Sequence, residues 1–244
     1  MFFNINTMLC LIGTGICFDL TLGAVEALKG CDEAYLERYT NPIPDERIKS
    51  LERIIGKRII LLGRDKVESD FLVEKAVKSR VALLASGDPL TATTHITLLM
   101  DARKKGIDTS VFHNSSIYTA APGKAGLQIY RFGRTATLVN PRPRYNPTSS
   151  LDVIRQNLSL NMHTLVLLDT EPQPMEARAA LEMLSEFGSA VVLSRIGEKD
   201  EKVSYGKIAD LKSAELGKPP FAIIVPAKLH PVEEEFISSL EAGK

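Results

Sequence analysis

The chain has 244 residues, of which 44% are hydrophobic, which is enough for the cores of two ordinary domains. Its 30 lysines and arginines balance 30 aspartates and glutamates, so no overall charge draws it to nucleic acid or to an anionic membrane. We therefore expect a small molecule or a protein as its partner, and neither nucleic acid nor a membrane.

The amino-terminal stretch leads directly into the first predicted strand. Residues 1–12 are apolar but lack a basic start and a small-residue cleavage site, and no run in the chain approaches the length that spans a bilayer. We interpret this stretch as a short extension that enters the first strand, with Met8 as an alternative natural start.

The first half of the chain alternates apolar strands with amphipathic helices. The predicted strands are 8–12, 34–39, 58–62, 81–85 and 109–112, and the predicted helices are 21–28, 45–55, 64–79 and 91–104. Strands that alternate with helices of this length imply parallel pairing with right-handed crossovers. We predict a doubly wound α/β domain over residues 1–110.

The second half has fewer clean strand-helix alternations. Its predicted strands are 135–139, 163–168, 190–196 and 221–225, and residues 202–205 are placed as a hairpin partner. Its predicted helices are one after Ser116 that is interrupted at Pro122-Gly123, then 148–158, 175–187 and 208–214. A proline-rich connection occupies residues 141–147. We predict a mixed-sheet α/β domain over residues 111–244, with a ligand in the cleft between the two domains.

The cysteines indicate the compartment. Cys10, Cys17 and Cys31 are odd in number and show no CxxC spacing, which argues against a disulfide framework and against a zinc site. Buried or free thiols are typical of a reducing cytosol, so we expect a cytoplasmic protein and assign no metal ligands.

The loop Ser86-Gly87-Asp88-Pro89 follows the strand 81–85 and lies where ligands bind in open α/β sheets, outside the carboxyl end of a strand. Asp88 is therefore a candidate ligand-binding carboxylate. The alternative is that Asp88 only caps the helix that Pro89 begins.

Two other loops are candidates for the same edge. Gly13-Thr14-Gly15 follows the first strand and indicates a close backbone approach, although it lacks the third glycine of a dinucleotide fingerprint; the alternative is a tight turn without a ligand. Ser115 and Ser116 follow the strand 109–112, where helix amides suit an anion or a polar ligand; simple capping is the alternative.

No familiar catalytic constellation is present in the sequence. The four histidines are widely separated, and we interpret His95, His113 and His163 as structural, whereas His230 follows a strand end within a proline-bracketed loop. A cleft lined by loops suits chemistry in which a cofactor carries the reactivity and the protein orients it.

Seven segments form an ordered set of motifs along nearly the whole chain. They are LIGTG at 11–15, SGDPLTATTH at 86–95, SIY at 116–118, GLQIYRFG at 126–133, PTS at 147–149 with Asp152, HTL at 163–165 running to Asp169, and VPAKLH at 225–230. Together they resemble the diphthine synthase family of the tetrapyrrole methylase superfamily. The Gly-Asp-Pro loop marks only the superfamily, whereas the strings at 86–95, 126–133 and 228–230 single out the diphthine synthases.

The resemblance implies that methyl groups pass from S-adenosylmethionine, in succession, to the amino group of the 3-amino-3-carboxypropyl-histidine of translation elongation factor 2, in diphthamide biosynthesis. It implies two α/β domains of the tetrapyrrole methylase type, the class III S-adenosylmethionine-dependent methyltransferases. It also implies a homodimer with the cofactor folded into the interdomain cleft. By the family's pattern the cofactor-binding positions are Ile16, Asp88, Thr91, Ser116, Ile117, Leu168, Ile196 and His230.

The sequence departs from the family in its amino-terminal extension, in Pro122-Gly123-Lys124, and between Gly197 and Tyr205. We assign no catalytic residue, because a methyl on a positively charged sulfur needs an in-line amine and a lost proton more than an acid-base pair. Four arginines are candidates for steering an acidic face of the protein substrate: Arg131, Arg134, Arg142 and Arg144.

Three alternatives stay open at this point. A tetrapyrrole methyltransferase of the corrin or sirohaem pathway shares the Gly-Asp-Pro loop. A nicotinamide-binding oxidoreductase uses a glycine turn of the Gly13 kind, but needs a third glycine and an acidic residue after the second strand, for which Glu37 is a poor candidate. A non-enzymatic binding module is the third.

Overall fold

The computed structural model describes residues 7–40, 43–141, 148–171 and 173–240. The chain divides into two compact units, Met1–Ser116 and Ile117–Lys244. The predicted boundary at residues 110 and 111 lies six residues before this division.

The first unit is a five-stranded, wholly parallel sheet with the strand order β3-β2-β4-β1-β5. Its strands are β1 (Met8–Gly13), β2 (Glu33–Glu37), β3 (Ile59–Leu62), β4 (Arg80–Ala85) and β5 (Asp108–Phe112). Its helices are α1 (Leu22–Gly30), α2 (Asp45–Ile55), α3 (Arg64–Val67), α4 (Phe71–Ala76) and α5 (Ile96–Lys104). The helix predicted over residues 45–55 is confirmed at both ends.

Helices cover both faces of this sheet, and alternate side chains of a strand point to opposite faces. Leu9 and Leu11 of β1 pack with α3, α4 and α5 on one face, whereas Cys10 and Ile12 pack with α1 and α2 on the other. The prediction of a doubly wound parallel unit is confirmed.

Two helix predictions in this unit are wrong. The helix predicted over 64–79 is broken into α3 and α4, where the Ser69 hydroxyl donates to the Lys66 carbonyl (2.8 Å) and accepts from the Phe71 amide (3.3 Å). The helix predicted from Thr91 begins only at Ile96. Both predictions fail because short polar side chains bond the backbone and compete with helical hydrogen bonds.

The second unit contains a mixed sheet, as predicted, and its strand order is β6-β7-β10-β8-β9. Its strands are β6 (Ala136–Leu138), β7 (Thr164–Leu168), β8 (Ser189–Ser194), β9 (Lys202–Lys207) and β10 (Phe221–Val225). Its helices are α6 (Ile117–Lys124), α7 (Ser149–Ser159), α8 (Ala177–Met183), α9 (Ile208–Leu211) and α10 (Pro231–Ser238), with a 3-10 turn at Ile129–Arg131. β6 and β7 are parallel and the other pairs antiparallel, including the predicted β8-β9 hairpin.

The predicted interruption at Pro122-Gly123 is wrong, since α6 continues through Pro122 to Lys124. Helix α10 was not predicted, although His230, Pro231 and Glu233 form a capping box with proline in the first turn. Histidine is not a usual capping residue, so the sequence pattern did not indicate that a helix begins here. Of the proline-rich connection, residues 142–147 lie outside the described residues.

No helix within the described ranges is long and apolar enough to cross a membrane.

Candidate functional site

Three loops meet at one edge of the first sheet. They follow β1, β4 and β5, which are neighbours in the order β4-β1-β5 and run in the same direction. The connection that leaves β1 runs to β2 on one side, whereas the connection that leaves its neighbour β4 runs to β5 on the other side. A point where the direction of the connections reverses is the usual ligand position in an open parallel sheet. The loops at Gly13, Asp88 and Ser115 are therefore brought together as the sequence predicted.

The close approach predicted at Gly13 is to the protein's own backbone. The amide of Gly15 donates to the Gly87 carbonyl (2.9 Å), and the amide of Gly87 donates to the Gly15 carbonyl (3.3 Å). A Cβ at Gly13 would lie 2.6 Å from the Gly87 carbonyl oxygen, which only glycine avoids. The two glycine loops are thus joined by a pair of main-chain hydrogen bonds.

Asp88 joins the β4 loop to the β5 loop. Its Oδ1 accepts from the Leu90 amide (3.0 Å) and the Thr91 hydroxyl (3.2 Å). Its Oδ2 accepts from the Asn114 amide (3.2 Å) and contacts Nδ1 of His113 at 2.7 Å. Only 8% of the residue is exposed. The carboxylate thus uses its hydrogen-bonding capacity inside the protein, so its side chain organises the loops and only the backbone at Asp88 is left for a ligand.

The charge of Asp88 is fixed by these contacts. Burial by itself raises the pKa of Asp88, but the hydrogen bonds from Leu90, His113 and Asn114 outweigh it and hold the pKa below its ordinary value. An ionised carboxylate therefore lies under the loops, which favours a ligand with a positively charged centre.

Asn114 is a site-building residue that the sequence did not reveal. Its side-chain amide donates to the carbonyls of Gly13 (3.1 Å) and Asp19 (2.6 Å), and its oxygen accepts from the Ser115 amide (2.8 Å). The Ser115 hydroxyl in turn accepts from the Ile16 amide at 3.1 Å. The only signal of Asn114 in the sequence was its place at a strand end, immediately before the two serines.

The start of the helix after this loop is set by Pro89. The Pro89 carbonyl accepts from the Thr93 hydroxyl (2.8 Å) and contacts Nδ1 of His95 at 2.9 Å, so it is not used as a helix acceptor. Ala92 has a positive φ of 56°, which ends any helical path from Thr91. His95 is buried and structural.

In the second unit, the predicted positions lie at two edges of the sheet. β7 and β8 end at one edge, where Leu168 is buried and Ile196 follows at two residues beyond β8. β10 runs the opposite way, with Val225 paired to Thr164, so that His230 follows the other edge. Leu168 and the loop that carries His230 therefore follow opposite ends of β7, which itself spans roughly 13 Å between Thr164 and Leu168. Ile117 is half-buried at the start of α6.

Two predicted side chains have other partners. Arg131 was a candidate for steering a protein substrate, but it forms an ion pair with buried Glu233 and only 18% of its side chain is exposed. That prediction is wrong for Arg131; Arg134 is exposed, and Arg142 and Arg144 lie outside the described residues. Glu37 is fully buried and accepts from the amides of Thr40 (3.2 Å) and Ser86 (3.3 Å), so it is not placed to hold a nucleotide ribose.

The remaining candidate bases also hold loops. Asp169 accepts from the amides of Asn140 (3.1 Å) and Glu171 (3.2 Å). His163 is fully buried, and burial lowers its pKa. Among the described residues, no three His, Cys, Asp or Glu side chains gather as metal ligands do. The arrangement fits a ligand that is gripped by backbone and apolar groups and brings its own reactivity.

Comparisons with known proteins identify relatives over the whole chain. The family model "Tetrapyrrole (Corrin/Porphyrin) Methylases" matches residues 8–212. The diphthine synthase of Methanothermobacter thermautotrophicus is 39% identical and aligns over 94% of both chains. That of Staphylothermus marinus is 37% identical over 93% of this chain and 91% of its own. A crystal structure of diphthine synthase superposes with a TM-score of 0.89 at 34% identity, covering 96% of both chains.

Proposed function

The chain belongs to the tetrapyrrole (corrin/porphyrin) methylase family, and from that premise we propose that it acts as a diphthine synthase. It transfers methyl groups from S-adenosylmethionine, in succession, to the amino group of the 3-amino-3-carboxypropyl-histidine of elongation factor 2, in diphthamide biosynthesis. One observation carries this function: relatives named diphthine synthase match 91–94% of their own length at 37–39% identity. A partial match would have supported the superfamily alone.

We propose eight residues as contact positions for the methyl donor. In the first unit the positions are Ile16, Thr91, Ser116 and the backbone of Asp88; in the second they are Ile117, Leu168, Ile196 and His230. The first four are supported by the loops that they occupy, which are tied to one another at the carboxyl edge of the sheet. The other four rest on the resemblance.

Methyl transfer needs little acid-base catalysis from the side chains. When bound, S-adenosylmethionine supplies a methyl group on a positively charged sulfur that is already activated for transfer. The protein binds and orients the reactants, and the ionised Asp88 stabilises positive charge at the loops. Since His95, His163 and Asp169 are each engaged with backbone groups, we propose that no side chain is indispensable as a base and that the amine loses its proton to water.

We further propose a cytoplasmic homodimer with elongation factor 2 as its protein substrate. Ile96 and Met100, four residues apart on α5, are each 51% exposed, and such a pair on one helix face is suited to self-association. Exposed Arg134 is a candidate contact for an acidic face of the substrate.

Calorimetry and a methylation assay test the function together. We expect S-adenosylmethionine and S-adenosylhomocysteine to bind and NAD not to bind. We expect methyl transfer to elongation factor 2 that carries the modified histidine, and none to a precorrin or uroporphyrinogen. Transfer to the tetrapyrrole alone would replace diphthine synthase by the corrin-type activity, and binding of NAD alone would refute a methyltransferase.

Alanine variants of His95, His163, Asp169 and His230 test the absence of a base. Each is expected to retain measurable turnover at saturating donor. A loss of many orders of magnitude in one variant, with donor affinity intact, would identify that residue as an essential base and refute this mechanism.

A further inference from the structure

The loop 226–230, which carries His230, is fastened to the second unit at three backbone positions. The Ala227 amide donates to Nδ1 of His163 at 2.9 Å. The Lys228 carbonyl accepts from the Arg131 guanidinium at 2.6 Å, and the His230 amide donates to Oε2 of Glu233 at 2.8 Å. The three anchors end on three different side chains.

Those three side chains contact one another. Glu233 is fully buried, forms an ion pair with Arg131, and contacts Nε2 of His163 at 3.4 Å through Oε1. Oε1 also accepts from the Gln128 amide at 3.0 Å. We call Arg131, His163 and Glu233 the buried trio.

The main chain and ring of His163 also hold a second loop. His163 accepts from the Gly133 amide through its carbonyl (2.9 Å) and donates its own amide to the Arg131 carbonyl (2.9 Å). Its ring meets the Phe132 ring edge-on, with the centroids 5.3 Å apart. The turn around Arg131 and the loop 226–230 are thus fixed to each other through one set of buried groups.

The hydrogen bonds determine the tautomer of His163. Because Nδ1 accepts from the Ala227 amide, the proton of the neutral ring lies on Nε2 and points to Glu233. Burial lowers the pKa of His163, and the Arg131 charge lowers it further against the opposing effect of Glu233, so the neutral form is maintained. Protonation would remove the acceptor for Ala227.

A buried ion pair is weak evidence for a role in stability alone, because an apolar cluster of similar volume often serves stability as well. The trio differs from an ordinary ion pair in where its remaining hydrogen bonds go. They end on main-chain groups of the loop 226–230 and of the turn that precedes β6. An apolar cluster could not hold those groups.

We propose that Arg131, His163 and Glu233 are positioning residues: they fix the loop 226–230 and thereby place His230 for contact with the methyl donor. This inference rests on the proposed function, since it assumes that the donor binds at His230. The trio does not touch the reacting atoms in this scheme; it acts through the loop.

The test compares Glu233→Gln with Glu186→Gln as a matched control. Glu186 makes the same kind of ion pair, with Arg155, but on the surface of the same unit. We measure thermal unfolding, the Kd for S-adenosylhomocysteine by calorimetry, and KM for S-adenosylmethionine and kcat at saturating donor. For Glu233→Gln we expect Kd and KM to rise about tenfold, equivalent to about 1.4 kcal/mol, with kcat changed less than about threefold.

A second pair of variants separates positioning from bulk stability. His163→Asn retains an acceptor, its side-chain oxygen, near the place of Nδ1, whereas His163→Leu has none. We expect the Kd of His163→Asn to stay within about threefold of the wild type and that of His163→Leu to rise about tenfold.

The outcomes are distinct. Equal Kd values for Glu233→Gln and Glu186→Gln, or equal Kd values for the two His163 variants, would overturn the positioning role. If Glu233→Gln does not fold, the two His163 variants decide by the same criterion. Failure of the wild-type protein to bind S-adenosylhomocysteine would instead refute the proposed function itself.

Discussion

Replacement of Asp88 by asparagine isolates the link between the β4 and β5 loops. The asparagine oxygen can keep the bonds from Leu90 and Thr91, which leaves an NH2 group directed at the Asn114 amide and His113. The ring of His113 can adapt by changing tautomer, but the main-chain amide of Asn114 then faces a donor and loses its acceptor.

The expected cost follows from this single lost contact. A partly buried donor without a partner costs about 1–3 kcal/mol, and the contact with His113 adds little because 67% of that side chain is exposed. For a chain of this size, about 2 kcal/mol corresponds to a fall of about 4–8 °C in Tm. We expect that fall in differential scanning calorimetry of Asp88→Asn, together with weaker binding of S-adenosylmethionine.

Asp101→Asn is the matched control, because Asp101 lies in the same unit in an exposed ion pair with Lys104. We expect it to change the free energy of unfolding by less than about 0.5 kcal/mol. The native pKa of Asp88 lies below its unfolded value, so its contribution is complete above about pH 4 and is lost as the pH falls through the native pKa. The reasoning is refuted if Asp88→Asn lowers Tm no more than Asp101→Asn at pH 7.

Three further changes have defined outcomes. Gly13→Ala drives a Cβ against the Gly87 carbonyl and is expected to lower the free energy of unfolding by about 1–3 kcal/mol; an unchanged Tm would contradict the close approach. His163→Asn removes a group whose native pKa lies below its unfolded value. The wild type is therefore expected to lose stability relative to the variant as the pH falls below about 6.5. Urea unfolding between pH 7 and 5 measures this difference, and parallel stability profiles would contradict it. S-adenosylmethionine at 100 times its Kd is expected to stabilise the wild type by about 2.7 kcal/mol, and no rise in Tm would contradict binding to the folded state.

The central strands of the two sheets, such as β1, β4, β8 and β10, were predictable because they are short, apolar and buried on both faces. Residues 81–85 read as a strand from composition alone, and α2 could be bounded by Pro44 and Gly56 at its two ends. The failures at Thr91 and at Ser69 share one cause: hydroxyl and imidazole groups bond nearby backbone, and a pattern of apolar residues does not record that competition.

The candidate site was predictable as a place but not as a set of contacts. The loop at Asp88 followed from a strand that ends in turn residues. Its partners His113 and Asn114 lie 25 and 26 positions away, and the interaction depends on β1 being inserted between β4 and β5. Strand order is a tertiary property, so local sequence reasoning could name Asp88 as a candidate but could not find the partners of its carboxylate.

The motifs that carry the resemblance in the second unit likewise make contacts that depend on the tertiary structure. The strings at 126–133, 163–165 and 225–230 are up to about a hundred residues apart, yet Gln128, Arg131, His163 and His230 all meet at Glu233. A donor with an activated methyl group needs accurate placement, and placement depends on loop backbones held from inside the protein. This explains how a methyltransferase can be recognisable by sequence and still lack a catalytic constellation: many of its marked residues bind the protein's own loops.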